Sequence, residues 1–180
     1  MTGYFKAVKN WSGIFVPSIR LLILTLILSF TMILPSLPAA ALSPAEGLGA
    51  DELNLETKDF SGQILLDKRF TKLKLDGANF AGADLRGTVF NGTDLTGANL
   101  SQINFENGMA YHTILRNADL SGAVLVNSFL LQSRFDNAIV TDADFSDAVL
   151  DLAEKLKLCK TAQGKNPVTG KDTRRSLGCG

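Results

Sequence analysis

The stretch FAGADLRGTVFNGTDLTGANL, residues 80–100, places a large apolar side chain at every fifth position: Phe80, Leu85, Phe90, Leu95 and Leu100. Followed outward, the same register runs back through Leu75, Phe70 and Leu65 to Phe60. It runs forward through Phe105, then from Leu115 to Leu150, with a single break at Ala110. A period of five suits neither regular element. On a helix it smears apolar groups around the axis, and on a strand it sends them alternately to opposite faces. The residues two before each large one are mostly small, among them Ala78, Ala83, Thr88, Thr93, Ala98, Ala118, Ala123, Ser128 and Ser133. One large and one small side chain per unit are therefore expected to point inward. The pairs Asp76-Gly77, Arg86-Gly87, Asn91-Gly92, Thr96-Gly97 and Ser121-Gly122 read as corners, where glycine accepts a positive φ. The chain is expected to turn every five residues.

The units Ala83-Asp84-Leu85, Ala98-Asn99-Leu100, Ala118-Asp119-Leu120 and Ala143-Asp144-Phe145 resemble the motif of the pentapeptide-repeat family. That resemblance implies an all-β solenoid, a right-handed quadrilateral parallel β-helix with four pentapeptides to a coil. Residues 59–150 would form about four to five coils, a shaft on the order of 20 to 25 Å at the usual strand spacing. With twenty residues to a coil, Ala110 interrupts an inner column of Phe70, Phe90, Leu130 and Leu150. The oversized Ile103 nearby is expected to fill part of the resulting space, limiting the cost of a cavity.

The N-terminal residues pose a separate problem. Lys6, Lys9 and Arg20 precede an apolar run, Leu21 to Leu34, which leads through Pro35 and Pro38 to Ala39-Ala40-Ala41. Basic, apolar and small segments in that order predict a secretory signal peptide over residues 1–41, cleaved after Ala41. The alternative is an uncleaved anchor, for which the run falls short of the roughly twenty residues needed to span a bilayer. Residues 42–58 would form the mature N-terminal segment or cap. The whole chain balances 18 Lys and Arg against 18 Asp and Glu. Cleavage removes three cations and no acids, leaving a mildly acidic protein.

Residues 151–180 stand outside the repeat. Ser146-Asp147 followed by residues 148–158 reads as a capped helix with acids early and bases late, suited to cover the open end of the shaft. Export predicts a disulfide between Cys159 and Cys179, the only cysteines. Closing a loop of that length contributes roughly 3 kcal/mol. The alternatives are two free thiols or part of a metal site, for which His112, the only histidine, is the one further ligand of that kind. The cysteine-bounded tail is similar to that of pentapeptide-repeat proteins of the thylakoid lumen in cyanobacteria and plants. The resemblance implies a lumenal protein, with the periplasm as the alternative compartment.

Chemistry is sparse. His112 sits at an outward corner with no recognisable catalytic companion, and no phosphate loop or zinc pattern occurs. The aspartates before the large residues, Asp84, Asp94, Asp119 and Asp144, lack a calcium-loop signature and read as solvated side chains on the outer wall. No enzyme activity, cofactor or metal site is expected.

Sorting outward positions by face leaves one apolar stripe. Val89, Met109, Phe129 and Val149 stand where other faces carry Asp or Asn, with Tyr111 and Leu131 beside them. A contiguous apolar surface on a soluble protein usually marks a contact site. These six residues are therefore the candidate docking site for a protein partner, such as a thylakoid membrane complex, or for another copy of the chain. The alternative is that a terminal segment folds over them. The leading function is a noncatalytic binding or scaffold module. A DNA-mimicking topoisomerase inhibitor, an activity within the broader family, is the alternative; it calls for a strongly acidic exterior, against which this chain has an export signal and a basic tail. No nucleic acid is expected as a partner, and the membrane is expected to be met only through the signal peptide before cleavage.

Overall fold

The computed structural model describes residues 56–180. The predicted signal peptide and most of the 42–58 segment lie outside the described residues.

Backbone pairing repeats every twenty residues. Three short strands, β1 (Arg69–Thr71), β2 (Val89–Asn91) and β3 (Met109–Tyr111), pair in parallel, with Phe70 opposite Phe90 and Phe90 opposite Ala110. Single parallel bridges build the other three sides: Asp59–Asn79–Asn99–Asp119–Ile139, Ile64–Asp84–Asn104–Val124–Asp144, and Lys74–Asp94–Ile114–Arg134. Each rung is hydrogen-bonded to the next, as where the N–H of Phe60 donates to the Asn79 carbonyl and that of Asn79 to the Lys58 carbonyl. Four sides with a corner every five residues make a β-helix with parallel rungs.

The corners explain the period. From residue 62 to residue 147, every fifth residue has a positive φ. Glycine fills seven of these positions, but Asn107, Asn117, Asn127, Asn137, Gln102, Lys72, Gln132 and His112 adopt the same conformation. The sequence reading tied the corners to glycine; the rung pairing on both sides forces the turn whatever residue stands there.

Inside, the fifth residues stack. Phe60 lies on Phe80 with ring centroids 4.7 Å apart and Phe70 on Phe90 at 4.8 Å, close to the strand spacing, while Phe70 and Phe80 meet edge to face at 5.8 Å. Ala110, at the break in the column, is itself buried. The Phe105 ring, 5.8 Å from that of Phe90, leans over Gly108, where an added Cβ would come within 2.5 Å of it. Ile103 is buried at the same level.

Two polar devices complete the coil. Asp84, Asp94, Asp119 and Asp144 each accept the N–H of the residue two further on, as do Asp59, Asn79, Asn99 and Asn104. These carboxylates thus belong to the turn rather than to the solvent, and Asp144 is fully buried. At the corner after β1, β2 and β3, the carbonyls of Phe70, Phe90 and Ala110 accept from the buried hydroxyls of Thr93 (2.5 Å), Thr113 (2.7 Å) and Ser133 (2.6 Å), one coil above.

The upper end is closed by groups that continue the rung register. Helix α1 (Leu152–Leu158) begins later than the sequence suggested, because Ala148-Val149-Leu150 forms one more rung, with Val149 bridged to Phe129. Ser146 and Asp147 are therefore not its cap; Asp151 stands at the N-cap, and its side chain makes no capping bond. Its carboxylate accepts instead from the Gln132 N–H at 2.6 Å, and Glu154 accepts from the Phe135 N–H at 2.9 Å. Both stand nineteen residues on, where a carbonyl would stand in a lower coil. Lys157 bridges Glu154 (2.7 Å) and Asp136 (2.9 Å), and Arg134 reaches Asp136 at 3.1 Å. The bond from Lys157 leads the interactions holding the Asp136 carboxyl below its usual range. The tail supplies the rest. The Gln163 carbonyl accepts from Asp142, Ser176 of the short helix α2 (Thr173–Ser176) accepts from Phe145, and the Asn166 amide donates to the carbonyls of Gly122, Ala123 and Asp142. Cys159 and Cys179 form a disulfide with Cα atoms 5.7 Å apart.

Candidate functional site

The strand-bearing side carries the outward column Arg69, Val89, Met109, Phe129 and Val149, each bridged to the next. None of the five has the side-chain acceptor found at the Asp and Asn of the opposite side. Met109 is 43% exposed, Phe129 50% and Val149 40%; Tyr111 is exposed as well, while Val89 and Leu131 are half-buried. All six sequence-predicted residues therefore lie on one side of the coil and its leaving corner. Helix α1 does not cover them, which removes the C-terminal helix as the segment folded over the stripe. The exposed His112 adjoins them, its ring edge-on to Tyr111 at 4.3 Å.

Several features of the surface escaped the sequence reading. Leu152 and Leu156, one helical turn apart in α1, are 69% and 57% exposed, and Leu152 follows Val149 by three residues. Residues 148–158 read as a helix that covers the open end of the shaft, yet only Leu158 of α1 is buried. Ile139 ends the otherwise polar opposite column, half exposed. The charged ends of the apolar column were also missed. Arg69 and Lys72 are exposed at its foot, Asp147 is exposed and Asp151 half-buried at its head, and none of the four forms an ion pair among the described residues.

A recess of about 920 Å³ opens between the last coil and the tail, lined in part by Asp144, Ser146, Lys165, Lys171, Asp172 and Arg175. Asp144 is engaged by Ser146 and Asp172 caps α2 through the Arg175 N–H, so these two acids serve the fold, while Asp147 lines the same recess. Among the described residues no group of three or more His, Cys, Asp or Glu could hold a metal, and no helix is long and apolar enough to cross a membrane.

The model of the family described as pentapeptide repeats matches in eight copies over residues 59–92, 74–107 and 113–151. A pentapeptide repeat protein of the Arabidopsis thaliana thylakoid lumen, known from its crystal structure, is 37% identical, covers 67% of this chain and 84% of its own, and superposes with a TM-score of 0.66. The chain belongs to the pentapeptide-repeat family. The family supplies the coil and its corners, which are the features described above. The chloroplastic thylakoid lumenal protein TL20.3 of Arabidopsis thaliana is 71% identical over 38 residues, 21% of this chain; the chain spans 14% of that protein's length. A further pentapeptide repeat structure, Rfr23 from the cyanobacterium Cyanothece 51142, is 22% identical over 52% of this chain and 64% of its own, with a TM-score of 0.49. This pentapeptide-repeat chain thus resembles proteins of the thylakoid lumen.

Proposed function

We propose that this protein is a noncatalytic scaffold of the thylakoid lumen. In this reading the right-handed shaft of about four to five coils, closed above by α1 and the disulfide-bound tail, presents one apolar side to a protein partner such as a thylakoid membrane complex. The observation that carries it is the continuous column of Val89, Met109, Phe129 and Val149, bridged rung to rung and uncovered by α1. A β-helix holds such side chains at fixed spacing, so a partner meets a surface that loses little freedom on binding. The lumenal similarity of its relatives supports the compartment. Inner columns filled with side chains leave the coil no interior pocket for a small substrate, which favours a surface role. The test is affinity capture from thylakoid and periplasmic fractions, with Met109→Glu/Phe129→Glu run in parallel. A defined partner recovered by the native protein and lost by the variant is the expected outcome. Equal recovery by both forms rules the apolar side out.

A further inference from the structure

The foot of the shaft, apart from its apolar side, is an open sheet edge. Higher up, each rung is tied to the one beneath by two bonds. The Asp94 N–H donates to the Leu73 carbonyl, and the Asp94 carbonyl accepts from the Leu75 N–H. Lys74 and Ile64, on two sides of the lowest described coil, have neither bond to a rung below among the described residues. Yet Phe70 and Leu75 beside them are 0% and 1% exposed, with no described rung beneath. A bare edge with a buried apolar core behind it calls for a cover.

We propose that the cover is this chain's own residues 51–55, which lie outside the described residues, added as one further pentapeptide with Leu53-Asn54-Leu55 under Leu73-Lys74-Leu75. Register is the first argument. Asn54 stands twenty residues before Lys74, as Lys74 does before Asp94, and the two leucines fall where Leu73 and Leu75 pack into the core. One unit earlier and two units earlier the large inward position holds Ala50 and Ala45, so the pattern stops there. Phe60 and Leu65 are buried as well, but no register continues beneath them, and the Ile64 rung stays unpaired. The joining corner is irregular, since Lys58 rather than residue 57 has the positive φ. The pairing therefore concerns this one unit and no further coil.

Charge agrees with the register. Residues 42–56 hold Glu46, Asp51, Glu52 and Glu56 and no Lys or Arg. Lys68, Arg69, Lys72 and Lys74 at the foot form no ion pair among the described residues. Twenty residues apart, Glu52 comes under Lys72 and Gly47 under Asp67, while Asp76 is already held by Lys58 at 3.0 Å. The unit closes the Lys74 edge against pairing with the edge of another shaft.

Amide exchange in the protein purified after export reads this pairing. The Lys74 N–H donates to the Leu53 carbonyl and the Leu55 N–H to the Lys74 carbonyl, so both amides are protected at least about tenfold more than that of Ile64. Leu53→Glu/Leu55→Glu abolishes the protection of Lys74 and leaves that of Asp94, one rung higher, unchanged. Glu52→Lys weakens it, and adding Lys72→Glu restores it, which keeps the test decisive should the leucine variant unfold. Exchange of Lys74 as fast as that of Ile64 overturns the proposal. Protection that survives both Leu53→Glu/Leu55→Glu and Glu52→Lys does so too, by assigning the cover to another segment. Protection that disappears on dilution assigns it to a second copy and overturns it equally.

Discussion

Gly108 shows what a single residue contributes to a stacked fold. Its φ is not positive, so it is not there to make a corner; it is there because the Phe105 ring occupies the space its Cβ would take. That ring in turn packs against Phe90, with the centroids 5.8 Å apart. Gly108→Ala should destabilise the protein by about 1–3 kcal/mol through overpacking, read as a lower urea midpoint. Gly97→Ala is the matched control, since Gly97 has φ +67 with open space around it. It should lose only about 1 kcal/mol, the cost of a side chain in a left-handed corner. Equal losses at the two sites would mean that Phe105 moves aside freely. Thr113 tests the hydroxyl column in the same way. Thr113→Val keeps the shape but leaves the buried Phe90 carbonyl without its 2.7 Å donor, with an expected loss of about 1–3 kcal/mol. A value near zero would show that the corner carbonyl finds another partner. The large-small pattern was legible in the sequence because volume alone sets it. The Phe105–Gly108 exchange was not, because it joins two sides of the coil, and a gap at one column can be filled from either.

At the scale of elements, the decisive fact is that α1 ends the shaft through its carboxylates. A β-helix that stops leaves its last N–H groups without the carbonyl of a next coil, an edge that must be satisfied or covered. Asp151 and Glu154 supply acceptors at that register, to Gln132 and Phe135. Glu154→Gln retains an acceptor and should leave exchange of the Phe135 amide nearly as slow as in the native protein. Glu154→Ala should accelerate that amide selectively; unchanged protection would show that the helix covers the edge by bulk alone. Protonation probes the same corner. The Lys157 bond is the foremost interaction holding the folded-state pKa of Asp136 below its unfolded value, with Arg134 adding to it. The stabilisation is therefore complete above the ordinary carboxylate range near 4 and is lost as pH falls through the depressed folded value. Asp84, held low chiefly by its bond to Arg86, follows the same direction. Melting temperature should stay level from neutral pH to about 5 and fall below 4, and Asp136→Asn should flatten part of that fall. A steep decline already between pH 7 and 5 would assign the dependence to other groups. That a helix follows the repeat could be read from residues 148–158, but its start could not, since Ala148-Val149-Leu150 satisfies both a helical pattern and one more pentapeptide.

At the scale of the molecule, stability in a one-dimensional stack is a sum of coil and nearest-neighbour terms, so damage at one end need not reach the other. The period told which side chains point inward and which residues stand above one another, and hence that Val89, Met109, Phe129 and Val149 form one column. It was silent on the ends, where no next repeat exists and the chain meets its last coil through contacts such as Asn166 with Gly122, Ala123 and Asp142. Those contacts depend on the tail being held. Its buried anchors Leu158, Ala162 and Leu177 lie within or beside the loop that Cys159 and Cys179 close, and the Arg174 guanidinium donates to the Cys159 carbonyl. Opening that loop restores entropy to the unfolded chain, about 3 kcal/mol for a loop of this size. In the Cys159→Ser/Cys179→Ser variant the loss should therefore be unevenly distributed. Amides of the last coil, Asp142 and Phe145 above all, should exchange faster as their acceptors in the tail come and go. Those of the phenylalanine-stacked coils around Phe70 and Phe80 should keep nearly their native rates under conditions where the shaft opens from its upper end. Uniform acceleration from Phe60 to Leu150 would mean that the coils open as one cooperative unit, and that the tail stabilises the whole shaft rather than its last turn.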